Sequence, residues 1–220
     1  DPTREVWEGR HLAGHLQVDD EGVATRPVTL VREGRLVGLP VGRQPTKEVQ
    51  QSNGHVWASP MLWPMPMVTT LLVATSNPVS DLIGELRRLA GEIGLDYGLL
   101  VRRLDEPRYS MTYRRGYSGS NNDDQLLTAP VEVYKVYVED GRLEPVRGLA
   151  FEEVTVRALR DVRLMGDDPR LTNLRLSSIS SRIMVPASVV TPSILVEDMD
   201  LREEAARETM LLSGNPMFGE

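Results

Sequence analysis

Two histidines stand four positions apart in His11-Leu12-Ala13-Gly14-His15, a spacing that on a helix would put both imidazoles on one face and could hold zinc. Their surroundings argue against it. A hydrolytic zinc helix carries a glutamate directly after the first histidine as general base, whereas here that position is Leu12, and Gly14 weakens any helix. The pair reads as chance spacing at the start of a strand. The acidic trio Asp19, Asp20 and Glu21 ahead of Gly22 could ligate a hard cation or orient a substrate amine. Local sequence favours a solvated turn, because aspartate and glycine are what turn geometry selects and the further oxygens of an EF-hand loop are missing.

Ser177, Ser178, Ser180 and Ser181 could supply a nucleophile. A serine nucleophile needs a base within hydrogen-bond reach and an oxyanion hole; His55 is the only histidine outside the first segment, and no Gly-x-Ser-x-Gly elbow occurs. A serine hydrolase is therefore disfavoured. Trp57, Met61, Trp63, Met65 and Met67 alternate with prolines. Such side chains can line a groove for a peptide or another subunit, or pack beneath a long loop.

The elements that must position these residues are mainly strands. Residues Gly14 to Gly38 read as a hairpin arrangement, with a polar turn at Asp19 to Gly22 and a tight reversal at Glu33-Gly34. Gln44 to Pro60 reads as a loop with its strongest turn signal at Ser52-Asn53-Gly54, and Met67 to Ala74 as a strand. Ser76-Asn77-Pro78 predicts a helix start, followed by Leu82, Ile83, Leu86, Leu89, Ala90 and Ile93 at helical spacing and ended by Gly91 and Gly94. Tyr97 to Leu104 reads as a strand and Glu106 to Ala129 as a polar loop. Val131 to Val138 and Leu143 to Leu149 form a hairpin about a two-residue Asp140-Gly141 turn. Glu152 to Leu159 fits a short helix, Val162 to Met165 a short strand, Ile183 to Val190 and Ser193 to Met199 extended pieces, and Leu201 to Leu212 a charged helix. The predicted class is α+β, predominantly antiparallel hairpins in a curved sheet or barrel-like body with two or three inserted helices.

Composition closes off several functions. The chain has no cysteine, which excludes disulfides, thiolate zinc sites, iron–sulfur clusters and a cysteine nucleophile, while leaving the compartment open. A formal charge of -7 argues against direct nucleic-acid contact, since acidic residues dilute the arginines between Arg102 and Arg115. The longest apolar run without a charge, from about Val56 to Asn77, is interrupted by Pro60, Pro64 and Pro66 and does not read as a membrane span. The chain opens on Asp1-Pro2-Thr3 without an initiator methionine and reads as a fragment whose amino-terminal domain lies upstream.

Three stretches, taken in order, resemble the carboxy-terminal domain of the TldD/PmbA family, also known as modulators of DNA gyrase. GHLQVDDEGVATRPVTLVREGRLVG (14–38) is similar to the family's strand, acidic turn and hairpin with an E-x-G reversal. VYVEDGRLEPVRGLAFEEVTVRALRDVRLMGDD (136–168) resembles its hairpin, short helix and M-G-[ND]-D ending. VPASVVTPSILVED (185–198) resembles its closing P-S-L-L-V-[ED] segment. The region from about Trp57 to Ala129 departs most from the family pattern.

The resemblance implies a zinc peptidase system in which an amino-terminal helix motif of the His-Glu-x-x-x-His kind holds the metal and a carboxy-terminal cysteine completes the site. That cysteine would fall near Ser178, and a neutral hydroxyl is a far poorer zinc ligand than a thiolate. It therefore implies that residues 1–220 are a carboxy-terminal domain of the metal-free, peptide-holding and assembly type, with no cofactor of its own. Zinc would then sit in the full-length protein or in a partner. The expected partners are a family member, as homo- or heterodimer, and unfolded peptide, in the cytoplasm of a bacterium, with no membrane. A rival within the same resemblance is an active peptidase with Asp20 or His55 as third ligand. Another is a binding module unconnected with proteolysis. Candidate substrate contacts are Asp20, Glu21, Asn53, Gly54, His55 and Ser178; no catalytic or metal-binding residue is assigned.

Overall fold

A computed structural model describes residues 1–44, 47, 51–59, 62–105, 127–152, 154–178 and 183–203. In chain order the strands are β1 (Val6–Trp7), β2 (Arg10–His11), β3 (Val31–Arg32), β4 (Arg35–Leu36), β5 (Val56–Ser59), β6 (Leu62–Pro66) and β7 (Thr70–Leu72). Helix α1 (Leu82–Glu92) follows, then β8 (Tyr97–Leu104), β9 (Pro130–Tyr137), β10 (Leu143–Val146) and β11 (Leu149–Phe151). A 3-10 turn at Val156–Arg160 precedes β12 (Val162–Met165), β13 (Arg170–Ser178), β14 (Ile183–Thr191), β15 (Ile194–Val196) and β16 (Leu201–Glu203).

The chain divides into two compact units, 1–82 with 162–195 and 83–161 with 196–220. In the first, β13-β14-β7 is the largest sheet; β13 and β14 pair antiparallel along their whole length, and β7 joins β14 in parallel, Ser188 beside Thr70. Its core gathers Leu12, Leu171 and Val190, with Trp7 and Leu72 packed against them. In the second unit β10-β9-β8 is an antiparallel sheet, and Val136 is fully buried. Gly98 lets α1 come close, since a side chain there would lie 2.6 Å from the Leu86 methyl carbon.

The class is α+β and mostly antiparallel. Among the described residues the strands form small separate sheets and not a closed barrel, and one α-helix with one 3-10 turn replaces the two or three helices expected. Several boundaries also move. Pro78 does not open α1, because the Val79 amide donates to the Met165 carbonyl at 2.9 Å and Val79 bridges to Gly166 as a strand would. Gly91 lies inside the helix; Gly94, at φ 77°, ends it, with the Leu95 amide bonded back to the Ala90 carbonyl. The Asp140-Gly141 reversal is a four-residue loop, closed where the Tyr137 amide meets the Arg142 carbonyl. Instead of opening the expected charged helix, Leu201–Glu203 pairs with β11, and 204–212 lies outside the described residues. Most of the polar loop 106–129 lies outside them too.

The proline-rich stretch after Ser52-Asn53-Gly54 is a ribbon, β5 against β6. Its register explains why prolines are tolerated in a strand. The Met67 amide donates to the His55 carbonyl, which makes Trp57 and Met65 the next hydrogen-bonded pair and turns Pro64 and Pro66 toward the outer edge. That edge has carbonyls but no donors at those two positions.

Candidate functional site

Asp19 organises the acidic turn in the first unit. Only 5% exposed, its carboxylate accepts the amides of Glu21 at 3.0 Å and Val23 at 2.9 Å, closing the turn. Its second oxygen reaches across to the Val56 amide at 3.1 Å. Asp20 continues the seam: its amide donates to the Val56 carbonyl and its side chain accepts the Ala58 amide at 2.6 Å. Glu21 accepts the Arg43 amide at 2.6 Å. Asp19 and Asp20 thus behave as a substitute strand along the outer edge of β5, while Glu21 holds the Arg43 segment.

Asn53 fixes the opposite side. Its side-chain oxygen accepts the Val41 amide and its amide group donates to the Leu39 carbonyl, both at 2.8 Å. Its own carbonyl accepts the Arg26 amide. Gly54, at φ 72°, sits where a side chain would lie 2.5 Å from the Ala24 carbonyl oxygen. Only glycine fits that contact in that conformation.

His55 is 6% exposed, and its Nδ1 lies 2.9 Å from the Asn53 carbonyl, which assigns the proton to Nδ1. Burial lowers its pKa below the ordinary 6.5, against the opposing pull of the Asn53 carbonyl and of Asp19. Because the folded ring resists protonation, the unfolded chain binds more protons between the two values. The contribution to stability is full above about pH 6.5 and is lost as pH falls through the folded value. Thermal unfolding followed from pH 7.5 to pH 5.5 is expected to show a fall in Tm that is smaller in His55→Gln.

These segments frame an open groove of about 580 Å³ lined by Glu21, Pro40, Val41, Gly42, Gln44, Val56, Trp63, Pro64 and Pro66. Trp63 stands 89% exposed and Met65 43% exposed, so the apolar ribbon is left largely uncovered by the described residues. Five of the six candidate residues, Asp20, Glu21, Asn53, Gly54 and His55, build or adjoin this groove. Ser178 ends β13, its backbone paired with Ile183 of β14. Ser180 and Ser181 lie outside the described residues. Pro40 and Gly42 were not anticipated. At Gly42 a side chain would press to 2.7 Å on Val56 and 3.1 Å on the Glu21 carboxylate, a tertiary closeness that the local sequence does not display.

Among the described residues the donors do not assemble a zinc site. Among the described residues no three His, Asp or Glu side chains gather to hold a metal. The Asp19 carboxylate is committed to three amides, His15 Nδ1 is 3.0 Å from the Pro2 carbonyl, and His11 is exposed in β2 near Glu5. Among the described residues neither Asp20 nor His55 therefore has companion ligands. Among the described residues no helix is long and apolar enough to cross a membrane.

Comparison with known proteins gives one match. A family model for the PmbA/TldA metallopeptidase C-terminal domain matches residues 1–203. No curated protein and no solved structure matches the chain.

Proposed function

The chain belongs to the PmbA/TldA metallopeptidase C-terminal domain family, and on that premise we propose that it is the peptide-holding and assembly part of a zinc peptidase system, without a catalytic centre of its own. The observation that carries this reading is the groove beside β5 and β6. Its walls are proline, valine and an outward tryptophan, and the amides of Val41, Arg43, Val56 and Ala58 along it are held by hydrogen bonds to the side chains of Asn53, Glu21, Asp19 and Asp20. Rigid apolar walls of this kind suit an extended peptide, which offers side chains to the walls and carbonyls or amides to the ribbon edge. Pro64 and Pro66 remove donors from that edge, so affinity there comes from side-chain contact more than from an added strand.

Assembly is supported by the uncovered apolar side chains of the β3–β4 hairpin, where Val31, Leu36 and Val37 are 59%, 66% and 54% exposed. We assign that surface to a second family member, as homo- or heterodimer. Zinc, on this reading, belongs to the upstream part of the protein or to the partner, and the setting is the bacterial cytoplasm.

The test is a titration of the chain with an unfolded peptide, followed by tryptophan fluorescence, together with elemental analysis of the full-length protein alone and with its partner. Saturable binding that Trp63→Ala weakens about tenfold is expected, as loss of an aromatic contact covered by the peptide costs roughly 1.4 kcal/mol. Stoichiometric, tightly held zinc in the lone full-length protein, or binding indifferent to Trp63→Ala, would overturn the proposal.

A further inference from the structure

Resting on the peptide-holding reading, the geometry points to a selective groove: Glu21 is the counter-charge for a lysine or arginine side chain of the held peptide. Among the described residues Glu21 is the one charged member of a lining otherwise made of proline, valine, glycine, glutamine and tryptophan. It is half-buried, and the Arg43 amide at 2.6 Å pins one carboxylate oxygen while leaving the other without a hydrogen bond among the described residues. Among those residues no lysine or arginine side chain forms an ion pair with it.

A fixed carboxylate in an apolar trough has one natural complement: a long aliphatic stem ending in a cation. The stem lies along Pro40, Pro64 and Pro66, and the charge meets the unpinned oxygen. A methyl group at Gly42 would lie 3.1 Å from the oxygen that the Arg43 amide pins, so glycine there leaves the pinned side of the carboxylate undisturbed. Trp63 at the rim adds a face on which a guanidinium or ammonium group can rest. The net charge of -7 works in the same direction, favouring cationic over anionic peptides on approach. A free peptide amino terminus offers the same cation without the stem, so the experiment removes it.

The test uses three unstructured peptides, acetylated and amidated at their ends and identical except for lysine, norleucine or glutamate at the central position. Each carries a terminal fluorophore, and binding to the whole chain is read by polarisation. The lysine peptide is expected to bind about fivefold more tightly than the norleucine peptide, the range of a partly exposed ion pair, with the glutamate peptide weakest. In Glu21→Gln, whose side-chain oxygen still accepts the Arg43 amide, lysine and norleucine should bind equally. Equal binding to the parent chain, or a lysine preference that survives Glu21→Gln, overturns the inference while leaving peptide holding intact. Failure of all three peptides to bind overturns both.

Discussion

Asp19→Ala is expected to lower stability by about 3–5 kcal/mol, because it strands three amides that now share one buried carboxylate. For a chain of this length that corresponds to a fall of roughly 10 °C or more in Tm. The turn amides of Glu21 and Val23 can turn to water, so the three losses do not simply add. The Val56 amide cannot, as Val56 is 2% exposed beneath the groove. Asp20→Ala is the control: its exposed carboxylate holds one amide, that of Ala58, and its loss should cost about 1 kcal/mol. Thermal unfolding of the two variants side by side decides the matter. Equal effects would mean that the acidic turn is not the anchor of the groove.

Gly14→Ala is expected to cost about 3 kcal/mol or more. A methyl group at Gly14 would lie 1.8 Å from the Thr69 carbonyl oxygen and 2.5 Å from its carbon, so the backbone itself must move. That carbonyl accepts the Ser188 amide at 2.8 Å in the parallel pairing of β7 with β14, and the Gly14 amide donates to the Ser188 hydroxyl at 3.0 Å. Moving one contact breaks both. Gly22→Ala provides the comparison, since nothing lies within 4 Å of its added carbon and only its φ of 76° opposes substitution, for about 1 kcal/mol. Unfolding midpoints that rank Gly22→Ala as the worse variant would contradict this packing.

Local chemistry made some elements legible. The Glu33-Gly34 reversal stands at φ 50° and 74°, and β8 and β12 span the residues that alternation and β-branching indicate. Tertiary partners explain the departures. Val79 is drawn into a bridge with Gly166, which delays α1 by a turn. The Val138 amide goes to the Asp96 carbonyl, which lengthens the Asp140 loop. β13 was hidden because Thr172, Asn173, Arg175 and Ser177 dilute its leucines, and the serines drew attention as nucleophiles.

The same division holds at the groove. Trp63 and the acidic turn announce themselves by residue type, but their neighbourhood depends on contacts between residues far apart in sequence, such as Asp19 with Val56.

The most direct measurement of the central claim is hydrogen–deuterium exchange of this chain, with and without a saturating unfolded peptide, with the peptide recovered and weighed afterwards. The account predicts added protection at residues 19–21, 40–43 and 55–66, and a peptide returned intact. Protection confined to other segments, or a peptide cleaved by the chain alone, would contradict it.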